Sequence, residues 1–160
     1  TFRRTVIPVQ ELLDAAGKYF KKLMKNRPER IELEIEPMEA KVIGDVNQLR
    51  FLLENLIDEA LTVREDGVIR LQARKDNEYI RFLFTDTRRE KSVEELNQLF
   101  YPNLARMTSG EKGELRGTEY LICKQIIRDH DEFAGRRGCR INAEPGKEGG
   151  FTIYFTLPKK

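Results

Sequence analysis

The side chains able to do chemistry in this sequence are few and widely spaced. Cys123 and Cys139 lie in different segments without CxxC spacing, and His130 is the single histidine, so a zinc site is short of ligands. Both cysteines read as small apolar residues of a reducing compartment. Glu59 is a carboxylate in a helical stretch. Its plain reading is a solvated helix residue paired with Arg64 or with a lysine of the lid segment 87–116. Asp86 closes an apolar run, where aspartate commonly starts a turn, and Arg88 follows two residues later.

The elements that would carry these residues can be read from periodicity. Between Val9 and Lys25, Leu12, Leu13, Ala16, Phe20, Leu23 and Met24 recur at helical spacing, with lysines toward the C-terminal end and Pro28 beyond. "RIELEIEP" alternates Ile31, Leu33 and Ile35 with Glu32, Glu34 and Glu36, a strand with one wet face, and "KVIGD" is expected to pair with it. Asp45 is placed to cap a second helix, striped by Leu49, Leu52, Leu53, Leu56, Ile57, Ala60 and Leu61. Gly67 ends the following turn. "VIRLQARK" and "YIRFLFTD" form a hairpin through Asp76 and Asn77. Residues 87–116 are rich in Arg, Glu, Lys and Gly around Leu96, Leu99, Phe100 and Tyr101, and are expected to form a mobile lid with a short helix. Helical spacing returns at Thr118 to Asp129, and "GCRINAEP" with "GFTIYFTLP" closes the chain as an antiparallel pair. This order predicts an α+β fold, a two-layer α/β sandwich whose mixed, mostly antiparallel sheet is covered on one face by helices.

At 160 residues, with 39% hydrophobic and 35% charged side chains, the chain suits one domain spanning 1–160 with a densely charged surface. No run approaches the ~18 apolar residues of a membrane helix, and "TFRRTVIPVQ" lacks a secretory apolar stretch. A cytoplasmic location, alone or as the cytoplasmic part of a membrane-anchored sensor, is the expectation, with no membrane contact by the domain itself. The formal net charge of +2 and the short, interrupted basic clusters argue against a general nucleic-acid binder.

Element order and local sequence together resemble the catalytic, ATP-binding domain of sensor histidine kinases, in the superfamily shared with gyrase, Hsp90 and MutL (the Bergerat fold). "IGDVNQLRFLLENLIDEAL" is similar to the family segment ending Asn-Leu-x-x-Asn-Ala, with Asn55 in the first Asn position and Glu59 in the second, the one that holds Mg²⁺. "FLFTDTRRE" resembles the Asp-x-Gly-x-Gly box. Asp86 matches the aspartate that accepts from the adenine amino group, while Arg88 and Glu90 replace the glycines. Phe100 in "LNQLFYPNL" matches a lid aromatic, more often simply anchoring core. "LRGTEY" falls where a glycine-rich box would offer backbone N–H groups to phosphate, keeping Gly117 beside Thr118 and placing Glu119 there. "GRRGCRINAEPGKEGGFTIYFTLP" is similar to the closing hairpin, and His130 falls where the family often has a structural histidine.

The resemblance implies bacterial two-component signal transduction, with ATP and Mg²⁺ as cofactors. Asn55 and Glu59 would stand nearest the metal, and Asn55, Glu59, Asp86, Arg88, Gly117 and Thr118 would border the nucleotide. Side chains at former glycines narrow such a pocket. A carboxylate ~4 Å from a phosphate charge costs several kcal/mol at an effective dielectric near 20 unless a metal screens it. The expectation is therefore a degenerate, pseudokinase-like ATP-binding domain, cut from a longer signalling protein, that binds ATP weakly or not at all and works by protein contacts. Its implied partners are upstream dimerisation helices carrying any acceptor histidine, a response regulator, and a second copy in a homodimer of the parent. Two other outcomes are a divergent working ATP-binding domain, in which Arg88, Arg89 or Lys112 replaces backbone at the phosphates, and a phosphotransfer adaptor with a decayed ATP domain.

Overall fold

A computed structural model of the chain describes residues 1–101 and 118–160. Helix α1 (Val9–Met24) buries Val9, Leu12, Leu13, Ala16 and Phe20, the stripe expected from spacing. Helix α2 (Val46–Ala60) starts at Asp45, whose Oδ1 accepts from the Gln48 N–H at 3.1 Å and satisfies one orphan donor of the first turn. Helix α3 (Val93–Leu99) opens with a capping box, Ser92 and Glu95 each bonding the other's backbone N–H. Helix α4 runs over Thr118–Phe133.

The main sheet has five strands in the order β2 (Ile31–Ile35), β4 (Gly67–Asp76), β5 (Tyr79–Asp86), β7 (Phe151–Pro158), β6 (Ile141–Pro145). Its β2–β4 pair is parallel and the others are antiparallel, so the sheet is mixed and mostly antiparallel as expected. The β4–β5 turn passes through Asn77 at φ 55°, a left-handed position that Asn tolerates. Ile69, Leu71 and Ala73 of β4, Ile80, Phe82 and Phe84 of β5, and Ile153, Phe155 and Leu157 of β7 are buried toward the helices. Phe82 and Phe155 face each other in register and stack with ring centroids 4.8 Å apart. The opposite face is wet and laced by ion pairs such as Arg70–Glu34 and Arg74–Glu36, each worth little in water.

One expectation needs correction. "KVIGD" does not pair with "RIELEIEP". Strand β3 (Lys41–Gly44) instead pairs antiparallel with β1 (Thr5–Pro8) in a separate two-stranded ribbon. The reason lies in what each strand can bury. β2 lies beside β4, with Leu33 and Ile35 packed against the main core, whereas Val42 and Ile7 seal the ribbon end and are fully buried. β1 carries a single buried residue, too little for a periodic signal. Of the expected lid over 87–116, the short helix is α3. The first part of that segment, residues 87–101, is anchored: Thr87 donates from both its N–H and its hydroxyl to the Val68 carbonyl, and Leu96 and Phe100 are buried in the core. Residues 102–117, including Lys112 and Gly117, lie outside the described residues.

Candidate functional site

The site is assembled where β5 ends against the C-terminal end of α2. Helix α2 leaves its last carbonyls without helical partners, as every α-helix does. Past Ala60 the backbone tightens through Thr62 N–H to Glu59 O and Val63 N–H to Ala60 O, and then unwinds toward Gly67. Asp86, the last residue of β5, sits beside this end and is 4% exposed.

Arg88 turns back across that gap. Its Nε donates to Asp86 Oδ1 at 2.9 Å and its Nη2 to Asp86 Oδ2 at 2.9 Å, the bidentate fork that suits a planar guanidinium. Nη2 also donates to the Ala60 carbonyl at 2.7 Å, and Nη1 donates to the carbonyls of Val63 at 2.8 Å and Glu65 at 3.0 Å. A guanidinium has five N–H groups, and these five bonds employ them all. The two side chains are 1% and 5% exposed, so the pair is dry. The Arg88 backbone N–H closes a further bond to Asp86 Oδ1 at 3.0 Å.

Glycine makes room for this arrangement at two points. Gly67, at φ +143°, passes so near Arg88 that a Cβ there would stand 2.5 Å from the arginine Cγ. Gly150, at φ +69°, brings the β6–β7 hairpin against the Asp86 carbonyl, where a Cβ would come within 2.0 Å of the oxygen. The Gly150 N–H donates to Glu90 Oε1 at 2.9 Å, and the Lys91 ammonium lies 5.1 Å from the centre of the Phe151 ring. Glu90 thus fastens the turn to the hairpin. The adjoining Arg89 is exposed and engages the Glu65 carboxylate at 2.5 Å.

On α2, Asn55 is buried and donates from Nδ2 to the Phe51 carbonyl one turn back, at 2.7 Å. Glu59 is half-buried. Arg64, its expected partner, pairs with Glu29 at 3.1 Å. The Tyr120 hydroxyl of α4 is held well above its ordinary pKa by burial first and by the negative charge of Glu59 second. Phe100 packs edge-on against Tyr120 at 5.6 Å, which supports its reading as a core anchor. Lys124 donates to the Phe100 carbonyl at 2.8 Å and sits 3.8 Å from the centre of the Tyr101 ring. Thr118 opens α4.

As metal ligands, Asn55 and Glu59 offer one amide and one carboxylate, which Mg²⁺ accepts only when phosphate oxygens and water complete its octahedron. Among the described residues no group of three or more His, Cys, Asp or Glu could hold a metal ion. Two surface depressions, of about 650 Å³ on the wet sheet face and about 720 Å³ between α1 and β2, are not lined by Asn55, Glu59, Asp86 or Arg88.

His130 is fully buried and structural. Its Nε2 accepts the Asp45 N–H at 3.0 Å, so the proton resides on Nδ1, which faces the Ile126 carbonyl at 2.8 Å. Burial depresses its pKa, opposed by the Ile126 bond and the Asp45 charge. Both cysteines are buried, as expected. Burial raises the Cys123 thiol strongly and pushes Cys139 up to about 12.

The family described as "Histidine kinase-, DNA gyrase B-, and HSP90-like ATPase" matches residues 44–160. The chain belongs to that family. Within it, this histidine kinase-like ATPase domain is 27% identical over 116 residues to the sensor histidine kinase RcsC of Escherichia coli (strain K12). The match covers 71% of this chain and 12% of RcsC. The catalytic domain of histidine kinase ThkA superposes with a TM-score of 0.74 at 21% identity, covering 98% of this chain and 97% of that one. ThkA is also solved in complex with the response regulator TrrA, where the TM-score is 0.72 at 21% identity, covering 99% of this chain and 42% of that one. Full-length ShkA in complex with AMPPNP matches at a TM-score of 0.74 and 15% identity, covering 99% of this chain and 32% of that one. These likenesses give the α+β sandwich of histidine kinase ATPase domains. Among the described residues no helix is long and apolar enough to cross a membrane.

Proposed function

We propose that this domain of the histidine kinase-like ATPase family binds ATP weakly or not at all and serves two-component-type signalling through protein contacts. The observation that carries the reading is the Arg88 guanidinium, dry and saturated against Asp86 and the α2 carbonyls. Asp86 is the residue that would accept from adenine, and both of its oxygens already serve Arg88. With five N–H groups engaged inside the chain, Arg88 has none for a phosphate. Glu59, one turn on from Asn55 along α2, adds negative charge near the Tyr120 hydroxyl, on the side where phosphate would lie. The scaffold that builds the sandwich is kept, so a role in docking survives the loss of a nucleotide seat.

The partners consistent with this role are dimerisation helices elsewhere in a longer protein, a second copy joined through them, and a response regulator of the kind that ThkA binds. The setting is the cytoplasm. Titration of the chain with Mg²⁺-ATP and Mg²⁺-AMPPNP by calorimetry tests the central point. The expected result is no saturable heat below millimolar nucleotide; micromolar affinity overturns the reading.

A further inference from the structure

The seat that Arg88 fills has a chemistry of its own. It presents five acceptor positions: both oxygens of Asp86 and the carbonyls of Ala60, Val63 and Glu65. Three of these acceptors are backbone carbonyls at or just past the negative end of the α2 dipole, and the others carry a full negative charge. The seat asks for a flat cation with donors on every edge. The adenine edge has one amino donor beside ring-nitrogen acceptors, which would set acceptor against acceptor and leave most of the part-buried positions, the Asp86 oxygens first, without a donor.

We propose that the Asp86 seat is a guanidinium-binding site occupied by a tethered ligand, Arg88, and that with this side chain removed it takes a free guanidinium cation in preference to a nucleotide. The inference rests on the reading above that Arg88 stands where a nucleotide would, and it deepens it: the seat is rebuilt for a different ligand, not merely blocked. Gly67 belongs to this site as well, because any side chain there would collide with the ligand's stem. An ammonium is a poorer fit, with three donors in a tetrahedral array against a planar ring of acceptors.

Chemical rescue tests it. Thermal melts are recorded for wild type, Arg88→Ala and Arg88→Ala/Asp86→Asn, each with methylguanidinium chloride, sodium chloride at equal ionic strength, or Mg²⁺-ATP. Arg88→Ala is expected to melt several degrees below wild type. At tenfold excess over its dissociation constant, methylguanidinium raises the Arg88→Ala midpoint by about 3–6 °C relative to sodium chloride. Wild type, whose seat is full, and the double variant, which lacks the carboxylate, gain nothing. If Arg88→Ala is unfolded at room temperature, the readout is recovery of the folded circular dichroism signal on adding methylguanidinium, and absence of recovery refutes the proposal. It is equally refuted if Arg88→Ala responds like wild type, or responds more to Mg²⁺-ATP than to methylguanidinium. Nucleotide binding by wild type bears on the previous proposal alone, so the two can fail separately.

Discussion

Replacing Arg88 by Met keeps an apolar stem out to the ε position while deleting the guanidinium and every donor, so the polar loss dominates. The structure sets the magnitude. Two bonds reach a carboxylate that is 5% exposed and three reach backbone carbonyls. Removing one partner of a buried ion pair costs about 3–5 kcal/mol, because the other charge is left dry and unpaired. For a chain of this size that corresponds to a fall of about 10 °C in Tm, at about 2–4 °C per kcal/mol. Adding Asp86→Asn to Arg88→Met removes the stranded charge and should restore at least about 1 kcal/mol, so the two losses do not add. Arg88→Lys keeps the charge but has three donors, and should fall between wild type and Arg88→Met. Urea unfolding followed by circular dichroism, read at constant m-value, measures all four proteins. A loss below about 1 kcal/mol for Arg88→Met, the range of an exposed pair, would refute the claim that this bridge is dry and saturated.

Other consequences can be checked with the same material. Gly67→Ala should destabilise by about 1–3 kcal/mol through its positive φ and its collision with Arg88, and should cost less in an Arg88→Ala background where the collision is gone. His130 has a depressed pKa in the fold, so its neutral form is the native one. Stability from this group is therefore complete above its unfolded pKa of about 6.5 and declines as pH falls below that value; unfolding free energies from pH 7.5 to 5 should slope downward, and His130→Gln should flatten the slope. Both thiols should resist a disulfide reagent at pH 8 in the native chain and react at once in denaturant, because burial suppresses their thiolates. Fast labelling of either cysteine in the native state would contradict their placement.

Periodicity revealed α1, α2, α4 and the β4–β5 hairpin because each buries one regular face, and a regular face leaves a regular sequence; the closing hairpin, whose β7 is buried on both faces, showed instead as an apolar run after a Gly-Gly turn. The short helix α3 was expected from the apolar cluster around Leu96 and Leu99; its capping box, Ser92 with Glu95, is an equally local signal that the sequence reading passed over. The β1–β3 ribbon was hidden because one buried residue makes no period, and its pairing is decided by a strand more than thirty residues away. The site was legible in part. Asp86, Asn55 and Glu59 were singled out only by resemblance to family segments, and Arg88 by standing where those segments have glycine. That Arg88 completes the α2 terminus could not be read, since its acceptors are carbonyls of Ala60, Val63 and Glu65, and every residue carries a carbonyl.

The chain's own order of apolar and polar residues determined the layers of this protein: which segments coil, which extend, and which faces leave water. Those are local matters, set by side-chain period and by caps a few residues apart. Only the folded chain decided the fate of the Asp86 seat. Whether an arginine beside it points to solvent or folds back depends on helix-end carbonyls more than twenty residues away and on the space left by Gly67, and burial then turns a weak surface pair into a bond that removal of either partner leaves unsatisfied.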